Sequence, residues 1–203
     1  MYIDLADLSP NQIYFAMIQS LIPRPVAWVL SQNENDSYNL APFSYFNAVC
    51  SNPPMIMLSI GKKPDGSIKD SRVNIEARKK FVVHIPHREL ASQVTATSAS
   101  LPAGESELEK EGLETVPFEG FEIPRLADCR IAFACEHELT HELGPQKQGM
   151  ILATVKHIFL DDKVATQDGK RLEINAAAVD PIARLGGNDY TTFGEILTVP
   201  RPK

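Results

Sequence analysis

Residues 23–31 read PRPVAWVLS, residues 39–59 read NLAPFSYFNAVCSNPPMIMLS, and residues 69–75 read KDSRVNI. Two short apolar runs, Val26–Leu30 and Met55–Ile60, bracket a segment rich in Ser and Asn. Runs of this length, bounded by Pro and Asn, are the mark of buried strands rather than helices. The segment between them carries small hydroxyls and amides that can meet a phosphate or the polar edge of a ring. Lys69 and Arg72 add positive charge at the start of a helical pattern over Ile68–Lys80, which has no Pro or Gly.

The rest of the chain extends the β-rich reading. Phe81–Ile85 is a third short strand, and Arg130–His141 with Met150–Asp162 both tolerate a period of two, which allows a long antiparallel pair turned by Gly144 to Gly149, although Ile131, Cys135, Leu139 and Leu143 also fall four apart as on a helix. Ser9-Pro10-Asn11-Gln12 has a capping serine, a proline at the first helical position and a glutamine at the third, which predicts a helix stacking Ile13, Met17 and Leu21 on one face. Leu90–Ala99 and Ala176–Ala183 read as short helices. Ser100–Pro124 holds three glycines, three prolines and many glutamates, and reads as an excursion over the surface.

These motifs resemble the flavin reductase-like family, and the resemblance continues to Arg184-Leu185-Gly186-Gly187-Asn188-Asp189-Tyr190 and Pro200-Arg201-Pro202. It implies a mainly β fold with peripheral helices, the FMN-binding split β-barrel, as one domain over residues 1–203. It implies FMN as cofactor, with FAD as the alternative flavin, and NAD(P)H as co-substrate. In the family the segment resembling Asn39–Asn47 lies along the flavin and a Lys-Asp-Thr-like turn approaches the phosphate; here that turn is Lys69-Asp70-Ser71, which keeps the hydroxyl. The cofactor-binding candidates are therefore Trp28, Asn39, Ala41, Pro42, Phe43, Ser44, Asn47, Ser59, Lys69, Asp70, Ser71 and Asn74, joined by Arg184 and Tyr190. The resemblance also implies a homodimer with the pocket at the subunit seam, and a partner monooxygenase among the acceptors.

One departure concerns the hydride donor. Shorter members carry Gly-Asp-His before a late strand, where this chain has Gly144-Pro145-Gln146. That leaves a second reading open, an FMN-binding electron carrier without productive NAD(P)H binding, and no catalytic residue is singled out.

His137-Glu138-Leu139-Thr140-His141 is a literal H-E-x-x-H, the zinc signature of metalloproteases when it lies on a helix. Two arguments weigh against a zinc hydrolase. On a strand, residues four apart lie about 13 Å from each other at roughly 3.3 Å per residue, too far for one ion. The third ligand of the extended motif would fall at Lys147, and no later segment supplies a convincing helical glutamate. G-x-G-x-x-G and the P-loop pattern are also absent from the sequence.

Composition bounds the partners. A net charge of −6 disfavours nucleic acid and anionic lipid, and no early stretch reads as a leader or membrane span, which predicts a cytoplasmic protein. Cys50, Cys129 and Cys135 form no C-x-x-C pair and read as free thiols, with a place beside the flavin as the alternative for Cys50.

Overall fold

The computed structural model describes residues 1–102 and 104–202. Its strands are β1 (Arg24–Pro25), β2 (Ala27–Gln32), β3 (Tyr38–Phe43), β4 (Phe46–Ser51), β5 (Pro54–Ile60), β6 (Lys80–Ile85), β7 (Thr115–Val116), β8 (Arg125–Leu126), β9 (Ile131–Leu143), β10 (Gln148–Leu160), β11 (Ala165–Asp168), β12 (Arg171–Ile174), β13 (Ala183–Arg184) and β14 (Tyr190–Thr191). The helices are α1 (Pro10–Ser20), α2 (Asp70–Arg78), α3 (Ala91–Ala96), α4 (Glu107–Lys110) and α5 (Ala176–Val179). The fold is mainly β with peripheral helices, as expected.

Seven strands form one antiparallel sheet in the order β3-β2-β6-β9-β10-β5-β4. β3 and β4 are its two ends, yet only Ser44 and Tyr45 separate them in the chain. The sheet must therefore curl until its ends meet, and Ser59 N–H donates to Tyr45 C=O at 2.8 Å, which carries the β4–β5 ladder into the two-residue link. The seam is not zipped as a ladder, so the barrel is split there.

Curling gives the strands two buried faces. On β2, Ala27 and Val29 point into the barrel, where they pack with Phe43, Ile56, Leu58, Phe81, Val83, Cys135 and Ile151, and Ile75 of α2 joins them. The alternate residues Val26, Trp28 and Leu30 face an outer layer with Leu40, Val82, Val94, Leu108, Phe118 and Leu126. Burial on both sides is why Val26–Leu30 is apolar at every position.

Several expectations need correction. Asn39–Asn47 runs from β3 through Ser44 and Tyr45 into β4, and Pro42 is accommodated because β3 is an end strand, where a missing N–H is tolerated. The excursion at 100–124 is not confined to the surface: Leu108, Phe118 and Ile123 are buried, and β7 pairs with β8. Its anchor is His84, fully buried, whose Nε2 accepts from Leu126 N–H at 2.9 Å while Nδ1–H donates to Trp28 C=O at 3.1 Å. Helix α1 has the expected capping box, but Met17 and Leu21 are exposed and Ile18 is its one buried residue. The helix packs through Ile18, with Ile13 and Ala16 half-buried, and its C-terminal turn is tied down by Arg24. The helical spans are shorter than predicted: α2 stops at Arg78 with Lys79 left-handed, α3 ends at Ala96, and α5 ends at Val179 before the left-handed Asp180.

His137 and His141 lie on β9, so the helical chelating pair does not form. Glu138 is the extra residue of a bulge opposite Leu152 and Ala153, and the His137 ring instead contacts Thr140 Oγ1 at 2.9 Å. Among the described residues no helix is long and apolar enough to cross a membrane.

Candidate functional site

A cleft of about 540 Å³ opens at the barrel seam. That is the size of a site for a small organic ligand. One wall is the β3–β4 join, Pro42 to Tyr45, and the floor includes Ser59 and Gly61 at the end of β5. Gln148 Nε2 donates to Ser59 Oγ at 2.9 Å, leaving the serine hydroxyl proton free. Tyr14 and Ile18 of α1, Thr95 of α3 with Ser98 just beyond it, and Arg184, Asn188 and Tyr190 complete the rim.

Arg24 holds these walls together. It is buried, and its guanidinium donates to Ile18 C=O, to Leu21 C=O at 2.7 Å, to Leu185 C=O at 2.8 Å and to Ser44 Oγ at 3.3 Å. One side chain thus fixes the end of α1, the C-terminal segment and the seam. Gly186 makes the same junction tight: a Cβ there would overlap Gln19 Cγ and lie 3.4 Å from Gln19 Cα.

A smaller cleft of about 80 Å³ adjoins the first and shares Pro42, Phe43, Lys69 and Ser98 with it. It ends at the start of α2, where the first backbone N–H groups have no acceptor within the helix. Asn39 Nδ2 donates to Ser71 Oγ at 2.8 Å, which fills an acceptor site on the hydroxyl and leaves its proton to donate elsewhere. Asp70 is neutralised by Lys63 at 2.8 Å. Lys69 differs: it is half-buried, its Nζ lies 5.5 Å from the Phe43 ring centroid, and among the described residues no carboxylate pairs with it. Desolvation lowers its pKa below the ordinary lysine value. A desolvated cation beside a helix start and a free hydroxyl suits a phosphate.

The sequence model of the family described as "Flavin reductase like domain" matches residues 19–173. The chain belongs to this family. It is 36% identical to protein BH2278 of Halalkalibacterium halodurans over 96% of this chain and 93% of that one. Nitrilotriacetate monooxygenase component B from Bacillus cereus superposes with a TM-score of 0.90 at 30% identity, covering 98% of both chains. The 2-nitrobenzoate 2-nitroreductase NbaA of Pseudomonas fluorescens superposes with a TM-score of 0.89 at 25% identity, over 100% of this chain and 96% of that one. Membership in the flavin reductase-like family carries the split barrel as fold and a flavin as the cofactor class.

Of the residues singled out from sequence, Pro42, Phe43, Ser44, Ser59, Lys69, Arg184 and Tyr190 line the larger cleft, and Asn39, Ala41, Asp70 and Ser71 the smaller. Three are placed elsewhere. Trp28 is fully buried in the outer layer, where its Nε1–H donates to Thr97 Oγ1 at 2.8 Å. Asn74 is buried one helical turn beyond Ser71, donating to Asn33 Oδ1 at 2.7 Å. Asn47 is exposed on the end strand β4. Arg72, the second expected cation, is paired with Glu76 at 2.8 Å and Glu142 at 2.9 Å. Cys50 is exposed and lines neither cleft. Sequence reasoning missed Arg24, which stands in the quoted 23–31 stretch but was not singled out, and Gln148, Thr95 and Tyr14, which stand in no motif.

Proposed function

We propose that the protein is an FMN-binding oxidoreductase that takes hydride from NADH or NADPH and delivers electrons to a free flavin, a metal ion or a partner monooxygenase. The observation that carries this reading is Lys69, a half-buried cation without a carboxylate partner among the described residues, at the junction of the two clefts. Lys69, the first N–H groups of α2 and the Ser71 hydroxyl would hold the FMN phosphate, with Asn39 orienting Ser71. The Pro42–Tyr45 backbone and the Phe43 ring would lie along the flavin, and Ser59 with Gln148 would offer polar contacts. A bound flavin supplies the hydride chemistry itself, so the residues have only to align two flat reactants and exclude water. No general acid is required.

The monooxygenase-component name borne by one structural relative supports a partner oxygenase as the acceptor, and the nitroreductase name supports an organic one. Tyr14, Phe15, Met17, Leu21 and Ile22 leave an apolar face on and beside α1, and Val49 leaves another on β4. A second copy of the chain would cover these faces, making the working unit a homodimer of one-domain subunits in the cytoplasm. Sedimentation at micromolar concentration should give twice the chain mass of 22.5 kDa.

The test is anaerobic addition of NADH and NADPH to the FMN-loaded protein. Bleaching of the flavin bands at a rate above that of free FMN is the expected result. Bound flavin that neither nucleotide bleaches would replace the reductase with the electron carrier.

A further inference from the structure

The chain carries 26 acidic and 20 basic residues, yet no Asp or Glu among the described residues lines the larger cleft, while Lys62, Lys69 and Arg184 do. Lys69 alone among these three also lines the smaller cleft, beside Lys63, Ser71 and the carboxylates Asp70 and Glu107. FMN has one phosphate, and that end accounts for it. Lys62 and Arg184 then remain as two cations on the larger cleft, and among the described residues neither has a carboxylate within ion-pair distance. Elsewhere on the molecule cations such as Arg72, Arg78, Arg88 and Arg130 are paired.

Arg184 is also held in place by its neighbours. Its Nη2–H donates to Gly187 C=O at 2.9 Å, and its guanidinium lies 4.6 Å from the Tyr190 ring centroid. One of its five N–H donors is used, and the plane of the rest is fixed. Tyr190 is in turn located by Thr95: the Thr95 hydroxyl donates to Ala91 C=O at 3.0 Å and its Oγ1 accepts from Tyr190 Oη–H at 3.2 Å. The result is a preset cationic fork on an aromatic rim, facing a cleft that also carries Tyr14 and Tyr45.

We infer that Arg184, preset on the rim of the larger cleft that Lys62 also lines, takes the anionic group of a flat-ringed reactant meeting the flavin. The inference rests on the flavin reading and deepens it by assigning the chemistry of the co-reactant. A carboxylate on an aromatic acceptor and a phosphate of the nicotinamide dinucleotide share that chemistry.

Benzoate and its neutral isostere benzamide are the probes, titrated into FMN-loaded protein and followed by the flavin difference spectrum. Benzoate should perturb the flavin saturably and bind at least tenfold more tightly than benzamide, with affinity falling as salt is raised. Arg184→Gln should weaken benzoate at least tenfold, and Arg184→Lys should recover part of the loss, which a merely structural role would not predict. Steady-state KM values for NADPH and NADH in Arg184→Gln separate the sources: a rise for the nucleotides assigns the site to their phosphates, and unchanged values with weakened benzoate assign it to an acidic acceptor. Benzoate and benzamide binding alike, or Arg184→Gln leaving benzoate and both KM values unchanged, would overturn the inference. Failure of wild-type protein to bind FMN at all would instead remove the flavin reading beneath it.

Discussion

Replacing Lys69 by alanine should weaken FMN binding without weakening the fold. Lys69 Nζ donates to no carboxylate among the described residues, and burial lowers its pKa, so in the flavin-free protein the charged form is destabilised, offset in part by the Phe43 ring 5.5 Å away. A phosphate in the smaller cleft would offset that desolvation through a charge-assisted hydrogen bond of about 1.5–3 kcal/mol. Its loss corresponds to a rise in Kd of roughly 10- to 150-fold. The thermal midpoint of the flavin-free variant should equal or exceed that of the wild type, since an unpaired, partly desolvated charge has been removed. pH gives an independent check. Phosphate holds Lys69 protonated, so FMN affinity should fall as pH rises through the lowered lysine pKa, in an alkaline window that begins below the ordinary value of 10.5. The linked stability of flavin-free protein has the opposite sign: its unfolded chain binds the proton more tightly there, so stability rises with pH across the same window. Isothermal titration with FMN and melting curves with and without it measure both. Unchanged FMN affinity in Lys69→Ala, or a flavin-free variant that melts well below wild type, would refute the reasoning.

Gly186→Ala should destabilise the fold by about 1–3 kcal/mol through overpacking against α1, because the new Cβ meets Gln19; in a Gln19→Ala background urea denaturation should show less than half of that cost. Trp28→Phe removes the hydrogen bond to Thr97 and part of a fully buried ring, for a loss of about 2–4 kcal/mol, and a change below about 0.5 kcal/mol, the range of a surface substitution, would contradict its placement. His84, buried between Trp28 and Leu126, has its pKa lowered from 6.5 to about 4, chiefly by desolvation. The unfolded chain therefore binds the proton first, and stability should be complete above pH 6.5 and fall by an amount on the order of 3 kcal/mol as pH drops to about 4. His84→Gln should flatten that slope in equilibrium unfolding.

How far the sequence could be read follows from what each element faces. β5, β6 and β10 announce themselves because their apolar or alternating patterns follow from burial of one or both faces, whereas β9 has apolar residues that fit a helix as well as a strand. β3 and β4 do not, because end strands beside a cleft carry Asn39, Pro42, Ser44 and Asn47 nearby, the composition of a loop. The split of the barrel was legible only through family resemblance, since no periodicity reveals that two consecutive strands stand at opposite ends of one sheet. The site shows the same division. Lys69 and Ser71 stand together in the chain and in space. Arg24, however, reaches Leu185 161 positions away, a convergence set by tertiary packing and invisible to spacing. Trp28 was a reasonable aromatic candidate, but a strand's period of two sends it to the outer layer while its neighbours Ala27 and Val29 face the barrel. Asn74 lies one helical turn beyond Ser71 and is turned toward the Ser31–Asn33 corner instead.

The central claim is that the paired clefts bind FMN, and the most direct measurement is an absorbance and fluorescence titration of flavin-free protein with FMN. Saturation at one FMN per chain, with shifted flavin bands and quenching of the single tryptophan, Trp28, is the predicted result. Flavin spectra identical to those of free FMN, with no saturation and no change at Trp28, would contradict it.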